Sequence, residues 1–160
     1  MSNNKFKKMT NQMHETVDSS VALALHNKNQ EVEVIHLLWA LLTNTNSVLN
    51  QLLNKMNVNK AALELEAKSN AAKLASVSSV TKESIKLSRN LLESLQKAEG
   101  MMASNGDKFI AIDAWLIANF DLPIIKEVLG KYIDLREAKK ELEAMRAGNT
   151  IDSASGDENL

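Results

Sequence analysis

At 160 residues and a formal net charge of −1, the chain has the size of one ordinary domain and offers no electrostatic case for binding nucleic acid or an acidic membrane surface. Hydrophobic residues, at 44%, suffice for a core, but with only 4% aromatics that core must be Leu, Ile, Val, Ala and Met; 5 Gly and 1 Pro leave little material for β-turns, which favours an all-α fold. Cysteine is absent, which excludes disulfides and thiol chemistry and suits a cytoplasmic location.

Residues 1–9 are polar, with no apolar run behind the charges of Lys5 to Lys8. They read as a disordered start rather than a signal peptide. From Thr10, an N-cap candidate, apolar residues fall at Met13, Val17, Val21 and Ala24 or Leu25, the spacing of one helical face. Val34 to Leu42 is the most apolar run of the chain. It is too short to cross a bilayer and is expected as a helix buried by neighbours on several sides. Ser47 caps a helix that turns Val48, Leu49, Leu52 and Leu53 inward, and Asn59 caps a fourth. Residues 75–80, small and rich in Ser, read as a connector.

A long helix is expected from Thr81 to Ala103, with Leu87, Leu91, Leu95, Ala98 and Met102 inward. Asn105-Gly106-Asp107 turns into a second apolar helix at Ile112 to Ala118, Pro123 opens a seventh helix, and Asp134 with Glu137 has capping-box spacing for an eighth. From Gly148 the chain is polar and acidic and is expected as a flexible linker or cut end, 148–160.

The two halves repeat. A shift of 78 brings Ala40 onto Ala118, Met13 onto Leu91, Val17 onto Leu95, Leu23 onto Met101, Asn29 onto Asp107 and Val32 onto Ile110, and a shift of 76 brings Leu53 onto Leu129. Two tandem four-helix repeats, 10–74 and 81–147, would each expose an apolar face. Packing them about a pseudo-twofold axis buries it.

Candidate chemistry is sparse. His14, His26 and His36 have no metal-ligand spacing, and His36 reads as a satisfied polar group at a helix start. Gly100 and Gly106 have five residues between them and precede Asp107, which is no phosphate-binding Walker A loop; a Gly-x-Ser-x-Gly elbow and a His-Glu-x-x-His pair are also missing. Asp107 and Asp113 form either a carboxylate pair for acid/base work or simple turn and helix-start residues. The methionines serve core filling or an adaptable binding surface, and Trp39 and Trp115 serve the core or a partner.

Thr10 and the helix ending in Val21-Ala22-Leu23-Ala24-Leu25, the run His36 to Leu42, and Gly106-Asp107-Lys108-Phe109-Ile110 followed by Asp113 together resemble the double-repeat N-terminal domain of the Clp ATPases, most closely the ClpB-type disaggregase branch. The resemblance covers roughly Met9 to Gly148. It implies an all-α double Clp-N motif without activity of its own, tethered to a hexameric motor that uses ATP and Mg, and docking unfolded or aggregated polypeptide weakly through an apolar groove. Monomeric behaviour of the isolated domain follows from it, as do Thr10, Asp107 and Asp113 as functional positions. By position, Met13, Leu91, Leu95, Met101 and Ala114 would contribute to or flank the groove. The family usually has Glu where this chain has Asp113. The alternatives are an adaptor-docking domain of a ClpA- or ClpC-type protease unfoldase, and a small helical enzyme using Asp107 and Asp113.

Overall fold

The computed structural model describes residues 8–159, so most of the expected disordered start lies outside the described residues. The order is α1 (Asn11–His26), β1 (Glu31–Val32), α2 (Val34–Thr43), α3 (Val48–Lys55) and α4 (Lys60–Ala72), then β2 (Lys86–Leu87), α5 (Arg89–Asn105), α6 (Ile112–Asn119), α7 (Pro123–Val128) and α8 (Leu135–Arg146), with a short 3-10 turn at Gly156–Asn159. The fold is all-α apart from one pair of two-residue strands.

Local chemistry sets the helix starts. Thr10, Ser47, Asn59 and Ser88 each accept a hydrogen bond from the backbone N–H three residues on, and Asp134 accepts from Arg136 and Glu137. Each such side chain satisfies a helix donor that has no partner within the helix. Every residue of α2 from Val34 to Leu42 is buried, because α1 and α4 pack on it and α7 and α5 also reach it. In the second half α6 lies against α5 and is touched from the first half by α3. The two repeats therefore share one core.

The strands show how the halves interlock. Val32 pairs in parallel with Leu87, and the isolated parallel bridge of Met9 with Ile110 is its counterpart under the shift of 78. The flanking bonds match as well: Ser88 N–H donates to Val32 O at 2.9 Å, and Thr10 N–H to Ile110 O at 3.0 Å. Each repeat thus lends the residues before its first helix to the loop before the other's buried helix.

Three expectations are corrected. The helix placed from Thr81 begins at Arg89, because residues 86–87 are held extended by β1 and Ser88 supplies the cap. Ile85 and Leu87, two apart, carry strand spacing rather than helical spacing. Met9 is buried, not frayed, since it pairs with Ile110. The segment from Gly148, expected as a flexible linker or cut end, folds back across the domain: Ile151 and Asp157 are buried, Lys108 N–H donates to Ile151 O at 2.8 Å and Asn11 N–H to Ala154 O at 2.7 Å.

Candidate functional site

At the C-terminal end of α8, Arg146 reaches into the loop that precedes α6. Its Nη1 and Nη2 donate to Asp107 Oδ1 and Oδ2 at 3.0 and 2.9 Å. Nη2 also donates to Asp113 Oδ1 at 3.0 Å, and Nε lies 2.8 Å from Asp113 Oδ2. A planar guanidinium can span two carboxylates in this way where an ammonium cannot. Asp107 Oδ1 accepts in addition from Ile151 N–H at 2.9 Å, and Asp113 Oδ1 from Ala114 N–H at 2.8 Å.

Burial raises the Asp113 carboxyl above its ordinary value, with Asp107 adding to the effect and Arg146 opposing it. Burial also works against the charge of Arg146, yet its bonds to Asp107 and the charge of Asp113 raise it. All four carboxylate oxygens are engaged. These contacts tie the loop before α6 to the C-terminal end of α8.

Thr10 stands on the other side of this loop. Its hydroxyl donates to Asp157 Oδ2 at 2.8 Å and accepts from Met13 N–H at 3.1 Å. Burial raises the Asp157 carboxyl, opposed by the Thr10 hydroxyl and the Ile112 amide. The N-cap residue of α6, Ala111, has no capping side chain, so Asp157 sits where a helix start calls for negative charge.

The positions expected to dock substrate separate into three groups. Thr10, Asp107 and Asp113 are brought together with Arg146 and the tail as a buried polar network. Met13, Leu91, Leu95 and Ala114 belong to the core, each at most 1% exposed, and present no surface to a partner; their spacing marked the inner face of α1, α5 and α6. Met101 alone of the eight is half-buried, with part of its surface accessible. It lines a cavity of about 360 Å³ with Ile117, Asp113, Arg146, Lys139 and Glu143, closed on one side by Gly148 to Thr150. The cavity has apolar walls on α5 and α6 and a charged floor and rim. A second, more apolar cavity of about 430 Å³ lies between the repeats, against Leu74, Leu122 and Ile124, and contains none of the expected residues.

Sequence reasoning missed Arg146 and Asp157. Arg146 is the only residue in the last turn of α8 able to bridge two acids. The signal available was an unassigned Arg opposite two assigned aspartates. Asp157 gave none, because an acidic polar tail looks the same docked or free. Trp115 is core, with its Nε1 donating to Ser94 Oγ at 3.0 Å, and Trp39 is core as well. His36 is fully buried: Glu33 N–H donates to its Nδ1 at 2.8 Å, which makes Nε2–H the donor to Asn29 Oδ1 at 2.9 Å. Among the described residues no group of three or more His, Cys, Asp or Glu could hold a metal ion, and no helix is long and apolar enough to cross a membrane.

Residues 8–132 match the Clp repeat (R) N-terminal domain. The chain is 53% identical to the chaperone protein ClpB of Wolinella succinogenes and 48% identical to that of Helicobacter hepaticus, in each case over 157 residues, which are 98% of this chain and 18% of the relative. It therefore spans under a fifth of the curated relatives it matches. In structure it is similar to the Hsp104 N-terminal domain of Candida albicans, with a TM-score of 0.82 at 19% identity over 94% of this chain and 99% of the other.

Proposed function

The chain belongs to the family of Clp repeat N-terminal domains, and on that premise we propose that it is the substrate-docking domain of an ATP-dependent disaggregase of the ClpB type. It binds unfolded or aggregated polypeptide and catalyses nothing itself. ATP and Mg serve the motor modules of the longer protein, which works as a cytoplasmic hexamer, while this domain by itself is a monomer. The observation that carries the reading is the cavity beside Met101: half-buried Met101 and Ile117 line it together with the Asp113–Arg146 pair.

About 360 Å³ is at the small end of ligand-sized cavities, enough for a few side chains and not for a folded surface. Burying roughly 200 Å² of apolar surface there would yield about 5 kcal/mol gross at 25 cal/mol per Å². Association costs of about 4 kcal/mol or more consume most of that. Docking is accordingly weak and tolerant of sequence, and six tethered copies compensate through effective concentration. Thr10, Asp107 and Asp113 act by holding the loop that shapes the cavity. Met101 and Ile117 meet the substrate.

The test is a two-dimensional amide NMR titration with an unfolded model protein. Fast-exchange shifts at Met101, Ile117, Lys139 and Glu143, lost in Met101→Glu with the remaining spectrum intact, are the expected outcome. No shifts at millimolar concentrations of an apolar peptide would sink the reading in favour of the adaptor-docking domain of a protease unfoldase, with folded adaptors as the partners to screen.

A further inference from the structure

Residues 149–158 bind the domain as a peptide would. The strap is anchored by the Ile151 side chain, tied through backbone bonds to Lys108 and Asn11, and ends with the Asp157 carboxylate on the Thr10 hydroxyl six positions after Ile151. Single backbone bonds and a carboxylate at one end, on a segment that turns at 154–155 into the short 3-10 helix, hold it in place. The seat is built by the start of α1 and the loop before α6, and it adjoins the cavity beside Met101, one wall of which is the strap's own first residues.

The strap is closely packed and bonded, its Ile151 N–H also donating to Asp107 Oδ1, but its seating carries local costs. It leaves α8 through Ala147 and Gly148, at φ of 51° and 80°, and Ala in a left-handed conformation is strained. Asp157 Oδ1 is buried with no hydrogen-bond partner among the described residues, a costly arrangement for a carboxylate. A Cβ on Gly156 would stand 2.9 Å from Ile151 Cγ2, so the chain curls over its own anchor only because glycine is there.

We propose that residues 149–158 are a self-ligand. They occupy a seat that also accepts an acidic segment of a second polypeptide, in which an apolar residue is followed six positions later, across a turn, by an acid. When such a segment displaces the strap, the wall at Gly148 to Thr150 moves and the cavity beside Met101 opens. What enters that cavity rests on the docking reading above; whether the strap releases does not.

Hydrogen exchange on the full chain tests release. The Lys108 and Ile151 amides are expected to exchange at least about tenfold faster than those of α2 in the native protein, the mark of a local opening, and faster again in Ile151→Ala while α2 is unchanged. A synthetic peptide of residues 149–160 should then bind the Ile151→Ala protein, shifting Asn11 and Lys108, and bind the same protein carrying Thr10→Val at least about tenfold more weakly. Asp157→Ala serves the same purpose where Ile151→Ala does not fold. Exchange of strap and α2 amides at one common rate in every variant, or no peptide binding to the released protein, overturns the proposal. If the strap opens as described but unfolded protein leaves Met101 and Ile117 unshifted, the latch stands and the docking reading falls.

Discussion

Arg146 is the residue on which the polar network depends. Removing it leaves Asp107 and Asp113 buried at 6% and 3% exposure without a compensating charge. Breaking a buried pair from one side costs about 3 to 5 kcal/mol, and Arg146→Ala should lose that much in urea unfolding at pH 7. Arg146→Lys should recover only part of it, because one ammonium cannot replace the bidentate contact. The deficit should shrink on acidification, since protonating the stranded acids relieves them. His36 acts in the opposite sense. Burial lowers its pKa from 6.5 to about 4, so between those values the unfolded chain holds more protons than the folded one. Its contribution is complete above pH 6.5 and is lost as the pH falls toward 4, by at most about 3 kcal/mol. An NMR titration of the ring that gave an ordinary histidine midpoint would contradict this. His36 was legible as a helix-start residue because its spacing from Glu33 is local. Its partner Asn29 was not, because seven residues and a turn separate them.

At the scale of elements, the same device starts the first helix of each repeat. Thr10 and Ser88, related by the shift of 78, cap α1 and α5 and bond Met13 and Leu91. Ser88→Ala should therefore cost about 1 kcal/mol. Thr10→Ala should cost more, because the tail contact through Asp157 goes with it. Matched denaturation curves for the two variants and for Thr10→Ser, which keeps both bonds, would separate the effects. At the other end of α8, Ala147→Gly relieves the left-handed conformation and should raise stability by about 1 kcal/mol. The start of α5 was readable from the repeat, since Thr10 maps onto Ser88. The helical stripe drawn from Leu87 through Leu91 and Leu95 obscured it, because Leu87 keeps the four-residue spacing of α5 although it precedes the cap. Met13, Leu91, Leu95 and Ala114, expected along the groove, lie in the core for a related reason. Periodicity reports which face of α1 or α5 is apolar, and a docking surface has the same composition as a core.

For the whole molecule, the exchange of pairing partners between the repeats means that neither half completes its own edge. Unfolding should be a single cooperative event. Trp39 reports on the first repeat and Trp115 on the second, so Trp39→Phe and Trp115→Phe each leave one probe. The fluorescence transition of each variant should coincide with its own circular-dichroism transition. Separate transitions would mean that the halves are independent domains.

The sequence by itself determined the all-α class, the duplication, the caps at Thr10, Ser47, Asn59 and Asp134, and the burial of the two Trp-bearing helices. Each of these rests on residues within one or two helical turns of each other, or on a repeat that simple alignment exposes. Tertiary structure decided the rest. Arg146 meets Asp107 across 39 residues and Asp157 meets Thr10 across 147. No local propensity records such pairings, because a charged residue on a helix end or in a polar tail is equally at home in water until another part of the chain offers a better partner. Which of the apolar residues stay accessible was settled in the same way, by the elements that pack over them.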